Sequence, residues 1–388
     1  MPSPGAQEAG AARSALWQLR GQSRDSPSGH KDGTPVVLTK AEMAGLSALA
    51  SHGLRPNRMN MAVIDGQLKI EASRPLIAGR WLNIRATFVG KSAGFLSPRL
   101  SIGIITLPAS LGRYPFELIR AALVTSGTDL APLDEIVRAV AIDKQTVTAT
   151  LNLPTRTGLF DRLAGLGGNT INPRSVVRAY CKLAARQRVR PEGDFAAQVR
   201  RAFAFGKASP TPDQNGAALI ALAMLVTDEK AGYLAGVEEW QTRRCRIAPP
   251  VVTLHGRADL PKHWALSAAI SVTQGTQLAS AVGEWKELAD SLSKQSMFAA
   301  GDPSGFSFVD LAADRAGFRA AKAAMSPSTA GATATRMAEA TAVDLLPRVL
   351  LEGPDGITNS QFKRRFGSLD AARYKAALLE IDRTLAAD

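Results

Sequence analysis

The stretch MNMAVIDGQLKIEA, residues 59–72, alternates apolar and polar residues on both sides of Asp65-Gly66. An Asp-Gly pair supplies the positive backbone angles of a two-residue hairpin turn, and a period of two lays one face of each strand against a core. WLNIRATFVG and RLSIGIITLP continue with β-branched and aromatic residues, so the chain from about Asn57 to Pro154 is committed to strands. Within it, Leu111 to Val124 reads as an amphipathic helix, Leu130 to Val137 as another, and Val140 to Leu153 as a further strand or hairpin. The expectation is an α+β fold: an antiparallel-sheet domain followed by a mainly α-helical one.

Beyond Pro154 the period changes. Arg156 to Leu166, Pro173 to Arg188, Asp194 to Phe205, Asn215 to Thr227 and Gly232 to Thr242 are candidate helices, separated by Gly and Pro breaks. Helices resume near Leu260, near residue 276 and from Phe308. SPSTAGATATR after residue 325 reads as a flexible joint, and the tail from Met337 as an accessory helical hairpin. The expected division is a disordered segment at 1–36, rich in Gly, Ser, Pro and charge, a strand-rich α+β domain at 37–154, a helical domain at 155–325, and a joint with helical tail at 326–388.

Lys plus Arg number 47 against 34 Asp plus Glu, a net charge of +13 that favours anionic partners: nucleic acid, acidic lipid or acidic glycan. Residues 264–283 carry no charge, but their Ser, Thr and Gln make them too polar for a lipid-facing helix, so no transmembrane helix is expected. The first residues lack an apolar core of signal-peptide length. That leaves a cytoplasmic protein, or one whose start codon lies further upstream. Cys181 and Cys245 fit neither a zinc nor a redox pattern; two buried free thiols are expected, with a lone disulfide as the alternative in an oxidising compartment.

Chemistry is concentrated between residues 255 and 317, where His255, Asp259, His263, Glu284, Glu287, Asp290, Asp310 and Asp314 sit among small and apolar residues. On a helix starting near Asp259, Asp259, His263 and Ser267 share a face, and an Asp behind a His fixes the imidazole tautomer. Glu284, Glu287 and Asp290 line a second helical stripe, flanked by Lys286. Asp310 and Asp314 form a third, with Ser307 or Ser304 as the helix cap, Arg315 alongside and Gly317 permitting close helix packing. His263, Glu284, Glu287, Asp310 and Asp314 are the catalytic candidates, and His263, Glu284, Glu287 and Asp310 the candidate ligands of a divalent metal. Solvated charged helix faces give the same spacings. There is no G-x-S-x-G, P-loop or HExxH to support a serine hydrolase, a nucleotide-binding fold or a zincin. A separate cationic row, Arg174, Arg178, Lys182 and Arg186, recurs every four residues on one helix and is the candidate site for an anionic ligand.

The motif order H-x3-SA, G-E-x-K-E-x2-D-S and F-S-F-x-D-L-x-A-D-x-A-G is carried here by His263, Ser267, Ala268, Gly283, Glu284, Lys286, Glu287, Asp290, Ser291, Phe306, Ser307, Phe308, Asp310, Leu311, Ala313, Asp314, Ala316 and Gly317. It resembles an uncharacterised family of proteobacterial envelope proteins and, more distantly, the YfiM-like putative lipoproteins and VanZ-like membrane proteins. The resemblance implies an exported or membrane-associated protein of unknown activity whose relatives begin with a signal or anchor helix. SKQSMFAAGDPS, between Ser291 and Gly305, is longer than the loop of that family.

The expected function is therefore an envelope-associated factor, in the periplasm or at the membrane, that binds an anionic lipid or glycan. The alternatives are a metal-assisted hydrolase or lyase using the acidic and His cluster, and a cytoplasmic nucleic-acid-binding protein, which rests on charge alone.

Overall fold

The computed structural model describes residues 5–24, 34–53, 56–125, 131–152, 171–204, 210–274 and 305–387. Antiparallel sheets occupy the N-terminal half and helices the C-terminal half, as the change of period requires. The chain separates into two compact units, Met1–Thr157 and Gly158–Asp388.

In the first unit, β2 (Arg58–Ile64) and β3 (Gln67–Pro75) pair in register across Asp65 and Gly66, whose φ angles of +53° and +70° are those the Asp-Gly turn demands. Helix α1 (Ala6–Arg24), strand β1 (Thr34–Thr39) and helix α2 (Lys40–Gly53) precede them. Strands β4 (Trp81–Val89), β5 (Lys91–Ala93), β6 (Arg99–Ile102) and β7 (Ile105–Leu107) follow. After helices α3 (Ala109–Gly112), α4 (Tyr114–Thr125) and α5 (Leu133–Ile136) come strands β8 (Val137–Ile142) and β9 (Thr146–Leu151). One sheet has the order β2-β3-β4-β6-β7 and the other β1-β9-β8-β5. Met43 of α2 lies in a core with Val63, Leu68, Ile142 and Val147. The second helix of this region ends sooner than its sequence suggests: among the described residues the helix is Leu133–Ile136, and β-branched Val137 already begins the strand.

The N-terminal segment corrects the disorder expected of it. Ala6, Ala9, Ala12 and Ala15 make a buried small-residue stripe on α1, which lies so close to α2 that a Cβ on Gly45 would collide with the Glu8 carbonyl oxygen. Buried Glu42 of α2 fastens the pair by accepting from Ser14 Oγ and Gln18 Nε2, each at 2.8 Å. Burial pushes the Glu42 carboxyl up, but bonds from the Thr39 amide, Ser14, the Thr39 hydroxyl and Gln18 outweigh it and hold the pKa below its usual value.

The second unit is built around a helix apolar on every side, α8 (Pro212–Val226), which is how a chain marks a helix to be surrounded. Helices α6 (Pro173–Val189), α7 (Phe195–Phe203), α10 (Leu260–Gln274) and α11 (Phe308–Met325) pack on it. Between them, Gly232 to Thr242 is not one helix: a 3-10 turn at Glu229–Ala235 ends at Gly236, in the left-handed conformation, before the short α9 (Glu239–Thr242). The expected helix at 156–166 and the one from residue 276 lie outside the described residues.

The joint after residue 325 is instead helix α12 (Ala330–Glu339), with Ala330, Thr333 and Ala334 buried. Asn215 of α8 secures its start by donating to the carbonyls of Ala324 and Ala330, both at 3.0 Å. The tail is likewise more than an accessory hairpin. After α13 (Ala342–Leu345), the residues Phe362 and Phe366 of α14 (Asn359–Phe366) and Tyr374 of α15 (Ala372–Ala387) form an aromatic cluster with Phe306 and Phe308. That cluster anchors the start of α11, where two of the candidate carboxylates lie.

Candidate functional site

Two features bring α10 and α11 together. Gly317 sits where a Cβ would collide with the Trp264 carbonyl oxygen, so the helices cross at backbone contact. Trp264 itself is buried, with its ring against Phe195 and its Nε1–H donating to Leu345 O at 3.2 Å. Beside the crossing, polar residues of the two helices meet. Ser307 caps α11 by accepting from the Asp310 amide at 2.9 Å, and Asp310 and Asp314, four apart, then face α10.

His263 lies between those two carboxylates. Its Nε2 is 3.3 Å from Asp310 Oδ2 and its Nδ1 is 3.2 Å from Asp314 Oδ1, and all three side chains are buried. Each ring nitrogen thus has a carboxylate oxygen of α11 within hydrogen-bond reach. Ser267 Oγ donates to Asp314 Oδ1 at 2.6 Å. Asp314 Oδ2 is buried and has no hydrogen-bond partner among the described residues.

The network continues through a residue that motif spacing did not single out. Leu254–Arg257 is a tight turn closed by reciprocal backbone bonds of 2.9 and 3.1 Å, with His255 at φ +52° and Gly256 at φ +82°. A left-handed His is costly, and here its ring is tied to Leu346 O at 2.7 Å. The turn aims Arg257 at three carboxylates: Asp259 through two bonds of 3.1 and 2.6 Å, Asp310 at 3.2 Å, and Asp355. Hydrogen bonding to Asp259 raises the Arg257 pKa above its ordinary value; burial opposes this and Asp355 adds to it. Burial pushes Asp259 up, but the Arg257 hydrogen bonds and charge outweigh it and leave the carboxyl below its usual range. Asp259, just before α10, feels the charge of His263, but its hydrogen bonds go to Arg257. Asp259 pairs with Arg257, and the imidazole is held from the other helix.

This arrangement has limited chemistry. In a nucleophile relay the Ser hydroxyl gives its proton to the imidazole, whereas here Ser267 donates to a carboxylate and both ring nitrogens are engaged. Among the described residues no group of three His, Cys, Asp or Glu is assembled to hold a metal ion. Glu284, Glu287, Asp290 and Lys286, which the metal and acid–base readings also need, lie outside the described residues. Arg315 pairs with Asp382 of α15.

The cationic row is a different kind of site. Arg174, Arg178, Lys182 and Arg186 are all exposed along α6, while Val176, Tyr180, Leu183, Ala184 and Gln187 on the other face are buried. Asn172 caps the helix by accepting from the Arg174 amide at 2.9 Å, and Pro173 occupies the first position, where its missing N–H costs nothing. At 1.5 Å per residue the four cations span roughly 18 Å. Among the described residues none of the four has a carboxylate within 4.0 Å.

Cys181 on the same helix corrects the expectation of free thiols: it forms a disulfide with Cys245, Cα to Cα 5.1 Å. Arg188 reinforces the junction by donating to Arg246 O at 2.8 Å, and Arg246 pairs with Glu229 and Glu239. No helix among the described residues is long and apolar enough to cross a membrane. No protein-family model matches the chain, and no curated protein or solved structure is significantly similar to it.

Proposed function

We propose that the protein is an envelope-associated factor that binds an anionic lipid or glycan through α6, and that the His263 cluster is a structural clamp between helices. The observation that carries the reading is the row of four exposed cations without neutralising carboxylates among the described residues. Charges left unpaired at helical spacing present a continuous positive edge, and anionic surfaces gain about 1 kcal/mol per cation brought near them. The clamp assignment is supported by the two buried carboxylates, Asp310 and Asp314, being met by the Arg257 guanidinium and by the two ring nitrogens of His263.

The disulfide supports an oxidising compartment, because such bonds persist outside the reducing cytosol. The resemblance of the 255–317 motifs to proteobacterial envelope proteins points the same way. The test is retention on immobilised acidic lipid, acidic glycan and duplex DNA over a salt gradient. Release from lipid or glycan as the Debye length shrinks from about 10 Å at 0.1 M salt fits the proposal. Preference for DNA replaces it with the nucleic-acid reading, and retention on none of the three removes it.

A further inference from the structure

The first unit carries a surface that the cationic row of α6 does not explain. Residues 76–80 join β3 to β4, and Gly103 and Ile104 join β6 to β7. Because β3 and β6 both run antiparallel to β4, the two connections leave the sheet at the same end. At their tips Ile77 and Ile104 are 92% and 101% exposed, and Ile105 is 64% exposed. These are built turns: the Leu76 amide donates to Arg80 O at 2.7 Å and the Gly103 amide to Asn83 O at 2.8 Å, while Gly79 and Gly103 hold φ angles of +71° and +59°. Ile84, Ile102 and Ile105, adjacent in the strand register, extend the apolar surface back from the tips, and all three are exposed.

Charge identifies what such tips would meet. From residue 72 to residue 116 the sequence has no Asp or Glu but contains Arg74, Arg80, Arg85, Lys91, Arg99 and Arg113. Arg58, Arg74 and Arg80 are exposed beside the tips, without a carboxylate within 4.0 Å among the described residues. The guanidinium of Arg58 lies over the ring of half-exposed Trp81, 4.7 Å from its centroid. A second copy of the chain would set these cations against themselves. Protruding aliphatic tips ringed by arginines, with a Trp at their base, match the boundary between acyl chains and acidic headgroups, where apolar and cationic groups are both satisfied.

We infer that this end of the five-stranded sheet docks on a bilayer containing acidic lipid. Ile77 and Ile104 enter the acyl boundary, Trp81 lies at the interface, and Arg58, Arg74 and Arg80 meet headgroup phosphates. The inference concerns the first unit and does not require the α6 row.

The experiment compares the full chain with Ile77→Ser/Ile104→Ser, Arg74→Gln/Arg80→Gln and Arg174→Gln/Arg178→Gln/Lys182→Gln/Arg186→Gln on phosphatidylcholine vesicles with and without phosphatidylglycerol. The Ile pair, exposed and so free to change without disturbing the fold, should weaken partition more than about tenfold. Each tip Arg removed should weaken it roughly fivefold, on acidic vesicles only. Brominated acyl chains should quench fluorescence in the full chain, and Trp81→Phe should remove most of that quenching. Undiminished partition of the Ile variant, or quenching unchanged in Trp81→Phe, overturns the inference. If only the α6 variant loses binding, the proposed function stands and this inference falls; if only the tip variants lose it, this inference stands and the lipid arm of the proposed function falls. Absence of binding to any vesicle overturns this inference, whereas the glycan arm of the proposed function is decided on its own matrix.

Discussion

Opening the Cys181–Cys245 bond should destabilise the second unit by an amount the chain itself sets. The bond closes a loop between residues 64 apart in sequence. In the chain-entropy account, such a closure removes about 14 to 15 cal/mol/K from the unfolded ensemble, which is about 4 kcal/mol at 25 °C. A unit of 150–250 residues shifts its melting temperature by about 2–4 °C per kcal/mol, so reduction should lower it by roughly 8–16 °C. The assay is thermal and urea unfolding of the wild type with and without reductant, beside Cys181→Ser/Cys245→Ser, with thiols titrated after unfolding. The double variant should match the reduced wild type and ignore reductant. Two titratable thiols in the unreduced, unfolded protein would refute the bond. A melting temperature unmoved by reductant in a protein shown to be cross-linked would refute the loop-entropy argument.

The clamp makes a graded prediction in urea unfolding. Asp314→Ala, which strips buried His263 and Ser267 of their shared acceptor, should cost about 3–5 kcal/mol, and Asp355→Ala, whose side chain is exposed, under about 1 kcal/mol; equal costs would contradict it. Gly317→Ala would gain up to about 1 kcal/mol in an open helix, but against the Trp264 carbonyl it should lose about 1–3 kcal/mol by equilibrium unfolding, and a gain would show that the helices do not cross there. Asp259, Glu42, Asp134 and Glu117 all have folded-state pKa values held below their ordinary ones. Their stabilisation is therefore present above the unfolded values near about 4 and lost as pH falls through the folded ones, so melting temperature should drop below about pH 4; a rise there would reverse the assigned sign.

Legibility in the sequence followed the range of the interactions. Asp65-Gly66 announced its hairpin because two adjacent residues set the turn and alternation sets the faces. Ser307, Asp310, Asp314 and Gly317 were readable because cap, stripe and crossing all lie within one helix. The partner of His263 was not, since the choice between Asp259 four residues away and Asp310 and Asp314 on another helix depends on how α10 and α11 cross. Arg257 belonged to the same stretch, but only the positive φ angles of His255 and Gly256 show where it points. For α1, the Gly, Ser, Pro and charge of the first residues obscured a three-residue repeat of alanine that needs Gly45 opposite it to matter. The pairing of Cys181 with Cys245 is a tertiary fact with no local trace.

The central claim is that the exposed row of α6 is a binding edge. The direct measurement is partition of wild type and Arg174→Gln/Arg178→Gln/Lys182→Gln/Arg186→Gln onto acidic vesicles and acidic glycan from 0.05 to 0.5 M salt, with unfolding midpoints confirming that both proteins are folded. The account predicts that wild-type binding falls steeply with salt, and that the variant binds more weakly at low salt with a shallower dependence, because its interfacial charge is gone. Coinciding salt curves for the two proteins on both surfaces would contradict it.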